Sequence, residues 1–382
     1  MKVTYVVNAL GEGGTERSLA DLLPGLRDGG VDARIITLRS RGDEGVEPIL
    51  RAQGFEITTI GSASKLQKIK TLRSLLRQHE PDVVHTMLFE ANLYARLATV
   101  GMRSKILISL VNTTYSEARL ADPRLNKFKI RAVQALDTAM GRFRTDHFHA
   151  VSNAVKSDAV KALRLPQDKV TVIERGRRAD TLPPRSDERR LAARAMLDLS
   201  PQAEVLVAVG RQEYQKGHRY LVEAMNSLQH RPDLLLLVAG REGNESDELQ
   251  RLLQKWPDAA KHTRLLGHRS DVADILAAAD IFVFPSLFEG MPGAVIEAMA
   301  SGLPVVASDI EPVHDVAEIG NNADVAPPRD PAKLAAAIDT LLNDPDRRAS
   351  MGTRSREIFE ERFTMERSVA SLLDLYRSLS SR

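Results

Sequence analysis

Residues 280–309, DIFVFPSLFEGMPGAVIEAMASGLPVVASD, decide how this chain is read. Ile281-Phe282-Val283-Phe284 is a short apolar run between Asp280 and Pro285, the pattern of a strand buried on both faces. A second run, Leu303-Pro304-Val305-Val306-Ala307, follows Gly302. Between them, residues 294–300 are helix formers. Pro292 suits the first helical turn, where its missing N–H has no role, and Gly302 suits the C-terminal cap. The unit is strand, loop, helix, strand, with Glu289 in the loop and Glu297 in the helix. In an open parallel sheet, a loop running from a strand's carboxyl end into a helix N-terminus binds anionic ligands.

The same alternation runs outward in both directions. Residues 3–7 form a strand, followed by the loop Gly11-Glu12-Gly13-Gly14 and a helix over about 15–27. Further strands are expected at 33–38, 56–60, 82–85, 105–110 and 147–151, with helical segments between them. The alternation pauses at the Pro-containing stretch 181–186 and restarts with strands at 205–209, 234–239 and 263–266. Strands alternating with helices predict parallel, doubly wound α/β sheets. At 382 residues the chain exceeds one ordinary core, so two such Rossmann-like domains are expected, 1–180 and 181–364. Residues 365–382 form a helix whose apolar stripe, Val369, Leu372, Leu373 and Tyr376, requires a surface to dock on.

Hydrophobic content of 43% and charged content of 27% are those of a soluble globular protein. No apolar run reaches membrane-span length, and Met1-Lys2 leads directly into a strand, so a cytoplasmic protein without a signal peptide is expected. With no cysteine in the sequence, disulfides, thiolate metal sites and a cysteine nucleophile are excluded. The net charge of +2 conceals an asymmetry. Residues 1–180 hold 29 Lys and Arg against 20 Asp and Glu, and the remainder holds 24 against 31. A basic half joined to an acidic half fits either an anionic partner for the first half or two ordinary solvated surfaces.

Three constellations carry chemistry. Gly11-x-Gly13-Gly14 opens a helix after a strand, so its amides are placed to approach a phosphate. The third glycine of a dinucleotide fingerprint falls on Glu16, and a plain tight turn fits equally well. Arg211 and Lys216, in Gly210-Arg211-Gln212-Glu213-Tyr214-Gln215-Lys216-Gly217, follow a strand and precede a helix. There a guanidinium and an ammonium are well placed to neutralise a diphosphate, although a lone Arg and Lys in a loop are usually just solvated. Glu289 and Glu297 fit two separate hydroxyl acceptors better than an acid–base pair, since Glu297 lies well inside its helix.

Taken in this order, GEGGTERSL, VGRQEYQKG and FEGMPGAVIEAMASGLPVV resemble the glycosyltransferases of family 4. VSNAV at 151–155, GHRSDV at 267–272 and Ala278-Ala279-Asp280 add to the likeness, which covers nearly the whole chain. The resemblance implies the GT-B fold: two Rossmann-like domains facing across a cleft, with the C-terminal helix crossing back to the first. It implies retaining transfer from a UDP- or GDP-sugar to a carbohydrate or lipid-linked acceptor. Arg211 and Lys216 would hold the donor diphosphate, Glu297 the ribose hydroxyls, and Glu289 with the amides of Gly290, Met291, Pro292 and Gly293 the donor sugar. Gly13 and Gly14 would meet the phosphates. The Asp344-Pro345-Asp346 string lies in the helical tail, and no metal is expected.

The chain also departs from the family. Met87 and Glu90 stand where members often carry histidines, while His85 fits a core position. Arg175-Gly176-Arg177-Arg178 replaces the usual Asn-Gly-Ile-Asp. A non-hydrolysing sugar-nucleotide epimerase and a catalytically silent nucleotide-sugar-binding scaffold are the competing readings. Residues 65–77 and 124–144 read as basic amphipathic helices: either core-packed with a solvated face, or in peripheral contact with anionic lipid at the inner membrane face. Nucleic acid is not expected as a partner.

Overall fold

The computed structural model describes residues 1–382 except Glu12, Asp43, Glu44, Pro123 and Arg382. The chain divides into two units, Met1–Gly176 with Met365–Arg382, and Arg177–Thr364. The division falls before the 181–186 stretch because Arg177 already pairs with the second unit. Its N–H donates to the Phe363 carbonyl at 2.8 Å, and it forms a parallel bridge with Thr364.

The first unit holds seven strands: β1 (Lys2–Val7), β2 (Asp32–Thr37), β3 (Glu56–Thr59), β4 (Val83–Met87), β5 (Lys105–Leu110), β6 (His147–Ala150) and β7 (Val170–Val172). They form one parallel sheet in the order β3-β2-β1-β4-β5-β6-β7. The order reverses between β1 and β4, and such a switch point opens a crevice at the carboxyl ends of the strands. The loop carrying Gly13 and Gly14 follows β1, and Met87 closes β4.

Helix Met365–Ser380 belongs to this unit and lies beside helix Gly14–Asp28. Leu372, Leu375, Tyr376 and Leu379 share a core with Leu19, Leu23 and Leu26, and Val369 and Leu373 pack against it. Two glycines make the close approach possible. A Cβ on Gly25 would stand 2.8 Å from a Val369 methyl, and one on Gly29 would meet Leu373 at 2.5 Å. Gly25→Ala is therefore expected to destabilise the docked helix by about 1–3 kcal/mol, the range of overpacking, as measured by urea unfolding.

The second unit holds β8 (Glu204–Val209), β9 (Leu234–Ala239), β10 (Thr263–Gly267), β11 (Ile281–Phe284), β12 (Val305–Ser308) and β13 (Ala323–Ala326). The order is β10-β9-β8-β11-β12-β13, again all parallel, with the switch point between β8 and β11. Pro292 is the N-cap residue rather than part of the first turn, and the helix runs Gly293–Ala300. It ends in a Schellman motif. Gly302 adopts φ 74°, its N–H donates to Met299 at 2.9 Å, and the Leu303 N–H donates to Ala298 at 3.0 Å. The second strand of this segment begins at Val305, later than the apolar run suggests. Asp280 is structural: Arg185, Arg190 and Arg194 converge on it at 2.7–3.3 Å, and it accepts the Val205 N–H at 2.9 Å.

Candidate functional site

In the second unit the two loops at the β8/β11 switch point pack directly on each other. Leu287 N–H donates to the Gln215 carbonyl at 2.8 Å, and Gln215 Nε2 donates to the Phe288 carbonyl at 2.9 Å. Gly217 has φ 63°, and a Cβ there would run into the Pro285 carbonyl oxygen, so only glycine allows this approach. The interlock puts Lys216 against Glu289. Lys216 Nζ donates to Glu289 Oε1 at 2.6 Å and lies 5.6 Å from the centroid of the Phe284 ring. Glu289 is 7% exposed. Burial, then the nearby Lys216 charge, pushes His218 down to about 3, so its imidazole stays neutral.

Arg211 is not drawn into this pair. It is exposed, and its guanidinium donates to Glu213 Oε1 at 2.7 Å. Glu213 in turn accepts from Asn244 Nδ2 at 3.3 Å, while Asn244 Oδ1 accepts the Tyr214 N–H. The loop that carries Arg211 is thus tied to the β9 side of the sheet.

Glu297 has a partner that sequence reasoning did not assign: Arg177 Nε donates to Glu297 Oε1 at 2.8 Å, with both side chains largely buried. The Arg177 guanidinium occupies the space that a Cβ on Gly293 would take. Arg177 was visible only as part of the departure from Asn-Gly-Ile-Asp. Glu289 and Glu297 therefore hold two different cations, Lys216 and Arg177. In the loop, Gly290, Met291 and Pro292 are buried, and the Gly293 N–H donates to the Met291 carbonyl at 2.9 Å.

Gly13 and Gly14 lie in the first unit, at the N-terminus of helix Gly14–Asp28, with Gly13 as the N-cap. The Glu16 carboxylate folds back to where a Cβ on Gly13 would stand, which sets a negative charge at the helix's positive end. Arg175 donates to the Thr15 hydroxyl at 3.3 Å in the same first turn. Met87 is 5% exposed and part of the sheet core, and Glu90 is paired with Arg39 at 2.7 Å. His85 is a core residue, hydrogen-bonded at both nitrogens, to Tyr376 at 2.6 Å and Ser109 at 2.7 Å.

Two doubly wound parallel sheets in one chain are the architecture of the GT-B fold. Residues 12–180 match the family model Glycosyltransferase Family 4, and residues 203–344 match the model Glycosyl transferases group 1. Together the two matches cover most of the chain, and both models describe glycosyltransferases. It is 29% identical over 262 residues to the UDP-Gal:alpha-D-GlcNAc-diphosphoundecaprenol alpha-1,3-galactosyltransferase of Escherichia coli, covering 67% of this chain and 66% of that one. Against the alpha-maltose-1-phosphate synthase of Mycolicibacterium smegmatis, identity is 30% over 254 residues, 61% of this chain and 63% of the relative. The chain thus spans slightly under two thirds of these curated relatives. Among solved structures, Anabaena Alr3699/HepE in complex with UDP superposes with a TM-score of 0.84 at 20% identity, over 99% of this chain and 100% of that one. WaaG, involved in lipopolysaccharide biosynthesis, superposes at 0.79 with 18% identity, over 98% and 99%. At these identities the superpositions establish the fold.

Proposed function

We propose that the chain is a retaining glycosyltransferase that moves a sugar from a UDP- or GDP-linked donor to a carbohydrate or lipid-linked acceptor in envelope, glycolipid or polysaccharide synthesis. The observation that carries this reading is the Lys216–Glu289 pair at the β8/β11 switch point, with Glu297 on the helix that follows β11. When a nucleoside diphosphate departs, negative charge grows on the phosphates, and a fixed ammonium aimed at them lowers the barrier. Lys216 and Arg211 would supply that charge, Glu289 a hydroxyl acceptor for the sugar, and Glu297 an acceptor for the ribose. The Gly290–Gly293 loop would line the donor sugar. With leaving-group charge carried by side chains, turnover is expected to survive EDTA undiminished.

Incubation with UDP- and GDP-sugars tests the reading through slow donor hydrolysis. Release of nucleoside diphosphate is the expected result. A sugar altered while still attached to its nucleotide would instead mark an epimerase, and binding without turnover a scaffold.

Acceptors on lipid carriers require contact with a membrane, and the two basic helices differ sharply on this point. Helix Lys65–His79 buries Leu72 and Leu76, and its Lys68 reaches the Leu38 carbonyl, so its apolar face is used in the core. Helix Lys127–Phe143 buries only Gly141. Phe128, Leu136 and Phe143 are 87%, 42% and 75% exposed and lie within one stripe. Lys127, Lys129, Arg131, Arg142 and Arg144 flank that stripe, and its one acid, Asp137, is taken up by Arg96 at 2.6 Å. A basic cavity of about 440 Å³, lined by Arg103, Lys105, Arg142, Arg144 and Lys169, adjoins its C-terminal end. Among the described residues no helix is long and apolar enough to cross a membrane. Surface docking on anionic lipid fits these features. Phe128→Ser with Phe143→Ser is expected to weaken co-sedimentation with anionic vesicles at low salt by about tenfold or more. Wild-type protein that stays in the supernatant would remove the idea.

A further inference from the structure

The Arg177–Glu297 pair has no counterpart in the Asn-Gly-Ile-Asp pattern. Glu297 follows Gly293 by one helical turn on the same face. Helical side chains lean toward the N-terminus, so the Glu297 carboxylate reaches back over Gly293. Gly293 offers no side chain, and the guanidinium of Arg177 fills the vacant space. Arg177 is held from behind by its backbone, through the N–H to Phe363 and the bridge to Thr364. Its side chain is only 12% exposed, against 26% for Glu297, so the contact is not a loose surface pair.

A guanidinium beside the first turn of a helix is disfavoured by the helix dipole. Glu297 offsets that cost, and so would an anion bound at the same helix end. Conversely, a bare carboxylate one turn into a helix would repel a diphosphate bound at its N-terminus. The ion pair removes both conflicts. It fixes Glu297 through Oε1 and cancels its charge, while a carboxylate keeps further lone pairs for hydroxyl groups.

We propose that Arg177 is a positioning residue for nucleotide recognition: it orients and neutralises Glu297 so that this carboxylate accepts the vicinal ribose diol next to a diphosphate. The inference rests on the placement of the ribose at Glu297 given under Proposed function.

Calorimetric titration of the full chain with UDP and GDP tests it. For whichever nucleotide binds, Arg177→Ala is expected to weaken binding about tenfold, the loss typical of one charge-assisted hydrogen bond. Arg177→Lys should restore part of the affinity. Gly293→Ala should mimic Arg177→Ala with no change of charge, because it displaces the guanidinium. The decisive step is the double variant. In a Glu297→Gln background, Arg177→Ala should cost no more than about twofold further, since Arg177 acts through Glu297. A steady-state readout should show raised KM with kcat largely kept, which a merely structural role would not produce. A full Arg177→Ala effect in the Glu297→Gln background would show direct contact with the ligand and overturn the proposal. An active Glu297 with a silent Arg177 overturns this inference alone. A Glu297→Gln change without effect on either nucleotide overturns the ribose placement as well.

Discussion

Replacing Lys216 by Ala is expected to lower donor turnover by about 10²–10³-fold, the typical loss when one preorganised electrostatic group is removed. Lys216 has little freedom to move. Its ammonium is fixed by Glu289 at 2.6 Å, and its loop is interlocked with residues 285–288 through Gln215 and Gly217. Charge held in place before the reaction costs no reorganisation during it. The same pair complicates the experiment, because Glu289 is 7% exposed and would lose its cation. Removing one partner of a buried ion pair costs about 3–5 kcal/mol, enough to confuse unfolding with lost chemistry. The informative variant is therefore Lys216→Ala with Glu289→Gln, which removes both charges, set against Glu289→Gln alone because Glu289 is itself placed on the donor sugar. It should melt close to the wild type while nucleoside diphosphate release in a single turnover stays low. Arg211→Ala offers a second control: its side chain is 56% exposed and pairs only with Glu213 among the contacts described, so stability should change by less than about 0.5 kcal/mol. A folded Lys216/Glu289 double variant with near-normal turnover would show that the charge comes from elsewhere.

The contrast between Lys216 and Arg177 explains which parts of the site were legible in the sequence. The strand–loop–helix–strand pattern at 280–309 could be read because buried parallel strands are continuous apolar runs and helices end on glycine; Gly302 carries a full Schellman motif. The approximate positions of Glu289 and Glu297 followed from that pattern. Their partners did not, because pairing across 73 residues, as for Lys216 and Glu289, or 120, as for Arg177 and Glu297, leaves no local signature. Two strands leave little signal: β7 has three residues, too few for a period, and β13, Ala323–Ala326, has Asp324 inside it instead of a continuous apolar run. The two basic helices looked alike in sequence, and only burial separated a core-packed Lys65–His79 from a surface-lying Lys127–Phe143.

Tyr376→Phe is expected to cost the first unit about 2–5 kcal/mol, far more than Tyr5→Phe, although both remove one hydroxyl from the same buried chain. The chain runs Tyr5, Tyr376, His85, Ser109, His149 and the Ile173 carbonyl, with links of 2.5, 2.6, 2.7, 3.0 and 2.9 Å. Its direction is set at one end, because a carbonyl only accepts. His149 Nε2 must donate, so His149 Nδ1 accepts from Ser109, and Ser109 accepts from His85 Nε2. His85 Nδ1 then accepts from Tyr376, and Tyr376 accepts from Tyr5. Removing the Tyr5 hydroxyl takes away a terminal donor, whereas removing that of Tyr376 strands a buried ring nitrogen and a buried O–H together. Both imidazoles must be neutral for this pattern. Burial pushes His149 down to about 4 and His85 well below its ordinary value, the neighbouring histidine adding to the effect at His85. The sign of the pH dependence follows. A histidine near 6.5 in the unfolded chain and near 4 in the fold contributes its full share above about pH 6.5. As pH falls from 6.5 toward 4, the unfolded chain takes up a proton that the folded unit refuses, and stability drops by about 3 kcal/mol for His149 alone. Urea unfolding at pH 8, 6 and 4.5 should show that decline, and His149→Leu should flatten it from a lower starting point. Equal costs for Tyr376→Phe and Tyr5→Phe would mean that these hydroxyls do not act as one directed chain. Tyr376 lies on the C-terminal helix, so the same hydroxyl that completes this core also fixes where that helix docks.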